Sequence, residues 1–471
     1  MATWYIDPQG PAGSGTSPTD SRTTIPAYAA GDILLFKRGS TYSFTNQLSI
    51  TLAGCKFGNY GDAAVARPVW TSTATNFGSI NVQTQTGETW FDGIEFRNYL
   101  SGSTNGSVIN CSVNVTSGRA ASLKCTSCKW QTTAYSAVRL NGTNQAEAAL
   151  SCVLLDCEWD DIGEDCIFGW AVYMEIGRPN ATRISTRTLT GDFLGMINGY
   201  ESTVHMYGPG LVDHSDVDIK QCFIVDASGG TEAGLVTIED LTFIGYGSAS
   251  VAPTAFVVGI CDLPFLFRRN LVYTYGLTAG VKFAADEISN NIFLIGNADA
   301  NNVCIAISGA GGKVYSNTFV GVNALPSTLK TVTMANGVPA ASAFVQNNQF
   351  VNLPIAIKSD SVGGNPTATY NNFWNVTSPR LNSSGVAFAG GNDRNADPEF
   401  RADYMPMGTD VLATGLAVTT TDFYGVTRGT PPTIGAVQYG ATNTLQYHLG
   451  ETGMAIERPR PRGLREYAQS R

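Results

Sequence analysis

The hydrophobic residues of this chain lie in short, strand-length runs that Gly, Asn and Asp separate. Runs at 138–140, 166–168, 303–307 and 354–357 are examples, and β-branched residues are common in them. Such runs are typical of buried β-strands, and the stretches between them leave little room for helices long enough for an α/β fold. The pattern therefore predicts an all-β protein.

A short phrase recurs along the chain: an apolar residue, one or two of Asn, Asp or Cys, a variable residue, and then an aromatic residue. Full copies occur at 155–159, 289–293, 315–319, 345–350 and 370–373, and weaker copies contain Phe96, Trp130, Phe243 and Tyr273. From Phe243 onward the aromatic residues are 30, 20, 26, 31 and 23 positions apart. This spacing is too irregular for a propeller and suits one coil of a β-solenoid per phrase. We expect at least eight coils, with the aromatic residues stacked in register.

One position of the phrase predicts a ladder of like side chains. The residue two before the aromatic is Cys128 or Cys157 in early coils and Asn291, Asn317 or Asn348 in later ones. Equivalent side chains in a parallel stack lie about 4.8 Å apart. Asparagine tolerates left-handed backbone angles and can bond to the neighbouring coil, whereas cysteine fits as a small apolar group. We expect buried, structural thiols that give way to an asparagine ladder.

Segments near both ends of the chain resemble a known superfamily. Residues 5–10, 30–42 and 67–70 are similar to its N-terminal capping segment, and residues 397–400 and 422–436 resemble its terminal segment. Together with the repeated phrase, they make the chain similar to the right-handed parallel β-helix superfamily of polysaccharide lyases, related hydrolases and bacteriophage tailspikes. The resemblance implies a fold but no single activity, because this scaffold carries many activities.

The resemblance implies one right-handed parallel β-helix with covered ends. We expect an N-terminal cap and first coils over 1–75, further coils over 76–395, a closing segment over 396–440 and an extended basic tail over 441–471. The ends need covers because an open solenoid exposes unpaired strand edges. The 64 residues between Trp159 and Phe223 form either two coils or one coil with a long excursion, which we place at 171–212.

The composition agrees with a strand-and-turn protein that has a large core. The chain has 51 Gly, 43% hydrophobic residues and 14% charged residues. No apolar stretch reaches the roughly 18 residues of a membrane span, and the N-terminal sequence lacks the features of a signal peptide, so we expect neither. The net charge of −9 disfavours nucleic acid or an anionic membrane as the main partner.

The ten cysteines indicate reduced thiols rather than disulfides or a metal centre. Disulfides persist mainly in oxidising compartments, which a chain without a signal peptide does not reach. The Cys-x-x-Cys sequence at 125–128 has no second pair and no histidine nearby, so we expect no metal site and no cofactor. A divalent cation such as calcium remains an open alternative, as a bridge to an acidic glycan.

The densest cluster of ionisable residues is Asp160, Asp161, Glu164 and Asp165. Two carboxylates on one face can act as acid and base in glycoside cleavage, so Asp161, Glu164 and Asp165 are catalytic candidates. The sequence Gly-Glu-Asp-Cys-Ile at 163–167 resembles the Gly-Asp-Asp-Cys-Ile rung of polygalacturonase-type hydrolases, which places their catalytic aspartates at Glu164 and Asp165. The Gly-His-Gly motif of that family is absent. A solvated turn between two strands is the alternative.

His214 and Asp216 are the other catalytic candidates. Arginines at 178, 183 and 187 precede them, so a loop in this region can wall a groove above the acidic cluster. The His-Ser-Asp sequence at 214–216 resembles one found in some superfamily members. In a lyase His214 would serve as the base and an arginine would neutralise the substrate. The alternative is a surface turn.

The last residues of the chain are basic although the remainder is acidic. Residues 457–471 carry five arginines and two glutamates, a net charge of +3 beside −12 for the rest. The Arg-Pro-Arg-Pro-Arg sequence at 458–462 cannot be helical, and so polar a tail is usually ordered only by docking. We expect an arm that binds a partner through its arginines: Arg458, Arg460, Arg462, Arg465 and Arg471.

Two functions follow from these features. The first is a bacteriophage virion structural protein, a tailspike-like or head- or tail-attached appendage that is assembled in the host cytoplasm. It would bind other virion proteins through its tail, form a homotrimer and bind cell-surface polysaccharide. The absent signal peptide, the basic tail and the reduced thiols favour it. The second is a free depolymerase, a polysaccharide lyase or glycoside hydrolase whose signal peptide is missing from this sequence.

Overall fold

The fold is all-β and is built from three parallel strand lines. The structure is a computed structural model, and it describes residues 1–72, 80–83, 87–99, 107–112, 119–141, 148–170, 173–184, 186, 191–197, 203–214, 221–226, 234–246, 257–260, 265–275, 281–283, 287–296, 303–307, 311–322, 325–334, 343–361, 364–401 and 404–439. Strands and turns dominate them, with one short 3₁₀ turn at Thr409–Val411. Within these ranges, no helix has the length and apolar character needed to cross a membrane.

Each complete coil contributes one strand, or part of one, to each line, and the strands are numbered β1 to β38 in chain order. The first line is β1 (Thr3–Ile6), β2 (Ile33–Lys37), β5 (Lys56–Tyr60), β8 (Gly87–Asp92), β11 (Arg119–Thr126), β14 (Ala148–Leu155), β17 (Tyr173–Gly177), β20 (Thr203–His214), β22 (Leu235–Tyr246), β24 (Phe265–Arg268), β27 (Glu287–Ser289), β30 (Lys313–Tyr315), β33 (Phe344–Gln346) and β36 (Thr367–Thr369).

The second line shares β20 and β22 with the first. Its other strands are β3 (Thr41–Phe44), β6 (Val69–Ser72), β9 (Glu95–Tyr99), β12 (Lys129–Thr133), β15 (Glu158–Ile162), β18 (Asn180–Ile184), β25 (Leu271–Tyr275), β28 (Ile292–Ile295), β31 (Thr318–Gly321), β34 (Gln349–Val351) and β37 (Asn372–Trp374). The strands β20 and β22 have 12 residues each and run through the corner that separates the two lines in other coils.

The third line forms a separate sheet. Its strands are β4 (Leu48–Ile50), β7 (Ile80–Val82), β10 (Ser107–Ser112), β13 (Ser136–Asn141), β16 (Ile167–Trp170), β19 (Asp192–Ile197), β21 (Gln221–Asp226), β23 (Val257–Ile260), β26 (Val281–Phe283), β29 (Val303–Ile307), β32 (Lys330–Met334), β35 (Ile355–Ser359) and β38 (Ser378–Leu381). These thirteen described strands exceed the eight coils expected, and the predicted right-handed parallel β-helix is confirmed.

The inner face of the second line carries the aromatic residues of the repeated phrase. Rings stack at centroid distances of 4.9 Å between Phe293 and Phe319 and 5.0 Å between Phe319 and Phe350. Trp130 and Trp159 stack at 5.4 Å in earlier coils. The predicted aromatic ladder is therefore confirmed. The prediction that Tyr273 belongs to this ladder was wrong, because Val272 pairs with both Phe243 and Phe293 and occupies the rung between them.

The predicted cysteine and asparagine ladders are also observed, at the corner before the second line. Cys128 and Cys157 are buried in neighbouring coils, and the seven cysteines whose side chains are described are all buried and free. Asn291, Asn317 and Asn348 are fully buried. The Oδ1 atom of Asn317 accepts the backbone N–H of Asn291 at 2.9 Å, and its Nδ2 atom donates to Ile288 O at 2.8 Å. Both bonds run to the preceding coil, and the backbone N–H of Asn317 donates to Asn348 Oδ1 of the next coil at 2.9 Å, so the rung bonds to both neighbours.

The region predicted as an excursion at 171–212 is instead part of the coil stack. Strands β17, β18 and β19 complete one coil, and β20 begins the next. Strand β17 pairs with β14 and β20, and β18 pairs with β15 and β20. The excursion was therefore the wrong choice between the two alternatives. The cause is that its coils lack the aromatic residue that marks the others: their equivalent rungs are Ala181 and Val212.

The described C-terminal residues pack along the side of the stack. Buried Arg428 donates to Asn290 Oδ1 at 2.8 Å and to the Gly435 carbonyl at 2.7 Å. Gln349 donates to the Ile434 carbonyl at 2.7 Å, and the Ala436 backbone N–H donates to Thr318 Oγ1 at 3.0 Å. Residues 409–439 therefore bind the corner of three successive coils in the asparagine region.

Candidate functional site

The acidic turn, residues 163–166, connects β15 to β16 and contains Glu164 and Asp165. Asp165 is buried, with 4% of its surface exposed. Its carboxylate accepts the Asp192 backbone N–H at 2.7 Å and the Ser136 hydroxyl at 3.2 Å. Burial, with a smaller contribution from the charge of Glu164, raises the pKa of Asp165 to about 7, against the opposing effect of the Asp192 hydrogen bond. The side chain links three coils of the third line.

Glu164 is more accessible than its neighbour. It is half-buried, and the Ser136 hydroxyl lies 3.5 Å from Oε2. Burial raises the pKa of Glu164, although the hydrogen bond from Ser136 and the charge of Arg139 act in the opposite direction. The backbone turn thus brings both carboxylates to one hydroxyl group, which an extended strand would not allow. Their predicted catalytic role remains a prediction.

Asp160 and Asp161 make structural contacts with residues of the next coil. Asp160 accepts bonds from Arg183 at 2.7 Å and Thr182 at 3.2 Å. Asp161 has a φ of 58° and accepts the Thr186 hydroxyl at 3.0 Å. Equivalent positive φ angles occur at Asn98, Thr132, Asp161 and Arg183, where the register of the second line skips one residue.

The second group of predicted residues is only partly described. His214 ends β20, where its backbone pairs with Gly245, but its side chain lies outside the described residues. Asp216, Arg187 and the arginine arm also lie outside them: Arg458, Arg460, Arg462, Arg465 and Arg471. Of the arginines expected to wall a groove, Arg178 makes a two-bond contact with Asp156 at 2.5 and 2.6 Å. Arg183 pairs with Asp160.

A different cluster lies on the outer face of the first strand line, and we call it the outer polar face. Its members occupy alternate positions of β17, β20, β22 and β24: Tyr173, Glu175, His205, Tyr207, Glu239 and Arg268. The residues between them on the same strands, such as Met174, Met206 and Ile238, point into the core and are buried. Strand alternation therefore presents the polar side chains on the outside.

Glu175 accepts hydrogen bonds from two tyrosine hydroxyl groups. Tyr173 donates to Oε2 at 2.9 Å and Tyr207 donates to Oε1 at 2.8 Å. Glu175 pairs in register with His205 on the next strand, and the rings of His205 and Tyr207 are 4.8 Å apart between centroids. These bonds fix the orientation of both phenol rings relative to the sheet.

Glu239 is the centre of the second half of this face. Its Oε1 atom lies 3.0 Å from His205 Nε2, and its Oε2 atom accepts bonds from Arg268 at 2.6 Å and Arg269 at 2.8 Å. Arg269 also forms two 2.8 Å bonds to Asp240. Burial raises the pKa of Glu239, but the bonds from Arg268 and His205 and the charges of both arginines outweigh it, so the pKa is lowered overall.

The face combines fixed polar groups with accessible surfaces. Tyr173 is 39% exposed, and the side chains of His205 and Arg268 are 40% and 38% exposed. Burial raises the pKa of Tyr207 to about 12, and the bond to Glu175 adds to the effect, so its hydroxyl keeps its proton at neutral pH. The arrangement can offer a stacking ring, hydrogen-bond donors, a carboxylate-oriented imidazole and a cation to one ligand.

Sequence analysis missed this face because its residues share no local motif. Glu175, His205 and Glu239 are each about 30 positions from the next, and only strand register brings them together. The signal available in the sequence was the alternation along β20, where His205 and Tyr207 alternate with the apolar residues Val204 and Met206, which are buried. In the part of the chain that the structure describes, no group of three or more His, Cys, Asp or Glu side chains is placed to hold a metal ion.

Comparisons with known proteins give a fold likeness at low similarity. No protein-family model matches the chain, and no curated protein matches it. One solved structure with a similar arrangement is described as the crystal structure of pectate lyase Pel9A. It is 12% identical, and the match covers 93% of this chain and 96% of that chain with a TM-score of 0.34. The fold assigned above depends on the strand pairings and not on this likeness.

Proposed function

We propose that this protein binds polysaccharide on its outer polar face. The supporting observation is the hydrogen-bonded set of Tyr173, Glu175, His205, Tyr207 and Glu239, held on three adjacent strands with part of its surface exposed. Tyrosine offers an apolar ring with a polar end, which suits the mixed apolar and hydroxyl surface of a sugar. Side chains already fixed by mutual bonds lose less entropy when they bind a ligand.

The shape of this face favours a polymer over a compact ligand. Neighbouring strands of the first line are about 4.8 Å apart, and the solenoid repeats this spacing along its axis. The face extends over β17, β20, β22 and β24, so a chain of sugars lying along the axis contacts one coil after another. Small-molecule sites are mostly apolar, unlike these polar and partly exposed side chains.

Affinity electrophoresis of the full-length protein through gels that contain single polysaccharides tests this proposal. Tyr173→Ala should weaken retardation about tenfold or more, because it removes an exposed ring and one of the two bonds to Glu175. Tyr439→Ala is the matched control, since Tyr439 is 45% exposed on the C-terminal segment. Equal retardation of both variants, or no retardation by any acidic or neutral polysaccharide, would count against the proposal.

The acidic turn is a second candidate, as the acid and base pair of a glycoside hydrolase. It is favoured by the approach of both carboxylates to the Ser136 hydroxyl, and by burial that raises the pKa of Asp165 to about 7, which suits a proton donor near neutral pH. Glu164→Gln or Asp165→Asn should then lower turnover by orders of magnitude with the fold intact. Unchanged turnover in both variants would leave the acidic turn a structural feature.

We further propose, from the sequence of residues 457–471, that the chain is a subunit of a bacteriophage particle anchored through its arginine arm. Arginine forms two-bond contacts with carboxylates, and prolines at 459 and 461 stiffen the arm and reduce the entropy lost on docking. Deleting 457–471 should leave a folded protein that no longer joins its assembly. Normal assembly of the truncated chain would refute this proposal. Sedimentation of the intact chain would test the expected homotrimer.

A further inference from the structure

We propose that the outer polar face selects an uncharged, hydroxyl-rich glycan and discriminates against polymers of uronic acids. This inference rests on the proposed glycan-binding function of the same face and adds the chemical class of the ligand. Three features of the face support it: the pairing of its arginines, an apolar column beside its polar residues, and the hydrogen-bonding capacity that remains on Glu175.

Two arginines at one end of the face are already paired with carboxylates. Nε of Arg268 donates to Glu239 Oε2 at 2.6 Å. Arg269 donates to Glu239 at 2.8 Å and to Asp240 through two bonds of 2.8 Å. Burial raises the pKa of Glu239, but the bonds from Arg268 and His205 and the charges of the arginines lower it overall. This carboxylate is therefore charged at neutral pH and compensates the guanidinium groups beside it.

The arginine that borders Tyr207 is paired as well. Arg178 lies beside the Tyr207 hydroxyl and forms two bonds with Asp156, at 2.5 and 2.6 Å. Within the described part of the face, three guanidinium groups thus bond to three carboxylates, those of Asp156, Glu239 and Asp240. A uronate bound here has to displace or share one of these contacts, and its own charge has to be desolvated. The face therefore offers little attraction to a polyanion.

Lys124 is the competing feature, because it lies on the same outer register as Glu175, two strands earlier. Its Nζ atom is 4.6 Å from the centre of the Trp90 ring, so the ammonium group makes a cation–π contact. Two strand spacings of about 4.8 Å separate its row from that of Glu175. A polyuronate bound through Lys124 would therefore lie over the earlier coils, and substitution of this lysine distinguishes that arrangement from the one proposed.

An apolar column borders the polar residues on the same strands. Tyr173, Thr203 and Leu235 pair in register on β17, β20 and β22, and the two apolar members, Tyr173 and Leu235, are 39% and 36% exposed. An uncharged sugar ring has an apolar C–H face as well as hydroxyl groups, so it packs on aromatic and aliphatic side chains. Glu175 lies two residues along β17 from Tyr173, on the same side of the strand. A ring packed on Tyr173 therefore has its hydroxyl groups beside Glu175.

Glu175 keeps acceptor capacity for such hydroxyl groups. Each of its two oxygens accepts one tyrosine hydroxyl, from Tyr173 at 2.9 Å and from Tyr207 at 2.8 Å. A carboxyl oxygen has two lone-pair sites, so each can accept a further hydrogen bond, and the phenol oxygens keep lone pairs as well. An uncharged glycan supplies a donor at every hydroxyl, whereas the carboxylate of a uronate supplies acceptors only. The remaining capacity of the face therefore matches hydroxyl donors.

The test is affinity electrophoresis of the full-length protein in gels that contain dextran, galactomannan, a β-glucan, polygalacturonate or alginate, at low salt and at about 1 M salt. At 1 M the Debye length is about 3 Å, so contacts between exposed charges are screened. At least one neutral polymer should bind about tenfold more tightly than either polyuronate, and high salt should change its dissociation constant by less than about twofold.

Two substitutions locate the neutral polymer on this face. Glu175→Gln should weaken its binding about tenfold, because it removes one of two acceptor oxygens, and Leu235→Ser about threefold, because it removes a packing surface. The matched controls are Glu88→Gln and Val386→Ser, which should bind as the wild type does. Glu88 is a half-buried glutamate on the register of Tyr173, three strands before β17. Val386 is 60% exposed and follows β38.

The outcomes separate this inference from the proposed function. Tighter binding of a polyuronate than of every neutral polymer would overturn the ligand class and leave glycan binding intact, and its loss in Lys124→Gln would place that polymer on the earlier coils. A neutral polymer that binds Glu175→Gln and the wild type equally would also overturn it. No retardation by any of the five polymers would remove both proposals. Far-ultraviolet circular dichroism and melting of each variant would identify a loss of binding that results from unfolding.

Discussion

The corner before the second strand line differs between regions of the stack. In the later coils Asn270, Asn291, Asn317, Asn348 and Asn371 occupy it. The Nδ2 atom of each donates to a carbonyl of the preceding coil, and the Oδ1 atom accepts a backbone N–H of that same coil. In the earlier coils Cys128 and Cys157 occupy the same position, and each thiol lies 3.5 Å from the equivalent carbonyl, that of Phe91 or Cys125. A thiol is a weak donor, so these rungs are held mainly by packing.

Between these two regions the ladder is interrupted. The equivalent positions hold Pro179, Gly210 and Leu241, and β20 and β22 continue through the corner as single strands. Three of the four strands that carry the outer polar face, β17, β20 and β22, lie in these interrupted coils. The comparison teaches that the residues stabilising the stack and the residues available for function are separated along the axis.

The largest effect should follow from removing a ring of the aromatic ladder in the asparagine region. Phe319→Ala should lower the free energy of unfolding by about 3–5 kcal/mol, because it leaves a cavity between two stacked rings. Val212→Ala on the same rung in the interrupted region should cost roughly 2 kcal/mol, since fewer atoms are removed. Denaturant unfolding of both variants measures the difference. Equal losses would show that the two regions pack alike.

A second effect concerns pH and the last cysteine coil. The pKa of Asp165 is raised to about 7, so the folded state holds a proton that the unfolded chain releases at its ordinary, lower pKa. Stability should therefore fall as pH rises from about 4 to about 7, by up to about 4 kcal/mol, and then level off. Asp165→Asn should remove this dependence and raise the melting temperature at pH 8. An unchanged pH profile would contradict the assignment.

The asparagine ladder should contribute less than the aromatic one but more than the thiols. Asn317→Ala should cost on the order of 3 kcal/mol, because it leaves the Ile288 carbonyl and the Asn291 amide buried without partners. Hydrogen exchange should show the loss of protection concentrated at the backbone amide of Asn291. A cost below about 1 kcal/mol would mean that water replaces the amide side chain, and the comparison between the regions would weaken.

The smallest effect is expected in the cysteine region. Cys157→Ala should cost roughly 1 kcal/mol, mainly through lost packing, because the thiol bond to the Cys125 carbonyl is weak. Denaturant unfolding of Cys157→Ala and Asn317→Ala compares equivalent positions of the two ladders directly. A cost as large as that of Asn317→Ala would show that the thiols hold their coils as firmly as the asparagines do.

Most of the fold was predictable because its signals are local. The repeated phrase places the apolar residue, the corner residue and the aromatic residue within five or six positions, so a coil that contains the phrase can be recognised in the sequence. Where a coil lacks the aromatic residue, as at Ala181 and Val212, the prediction failed and an excursion was inferred instead. The catalytic candidates of the acidic turn were found for the same reason, since their carboxylates are adjacent in sequence.

The outer polar face could not be predicted from the sequence, because it depends on tertiary structure. Its members are separated by roughly one coil each, and a shift of one residue in the register of β20 would turn His205 and Tyr207 into the core. The register is set by the summed packing of the inner residues along the whole stack. The packing of residues 409–439 against Asn290, Thr318 and Gln349 is likewise a contact between distant segments.

The sequence by itself thus determined that the chain forms a parallel β-helix, which corner residues form ladders and where the acidic turn lies. These features follow from short-range patterns that repeat in each coil. Tertiary structure decided which outer side chains meet and which coils have no ladder residue at the corner. The physical reason is that hydrogen bonds such as those from His205 and Arg268 to Glu239 exist only after three coils have stacked in register.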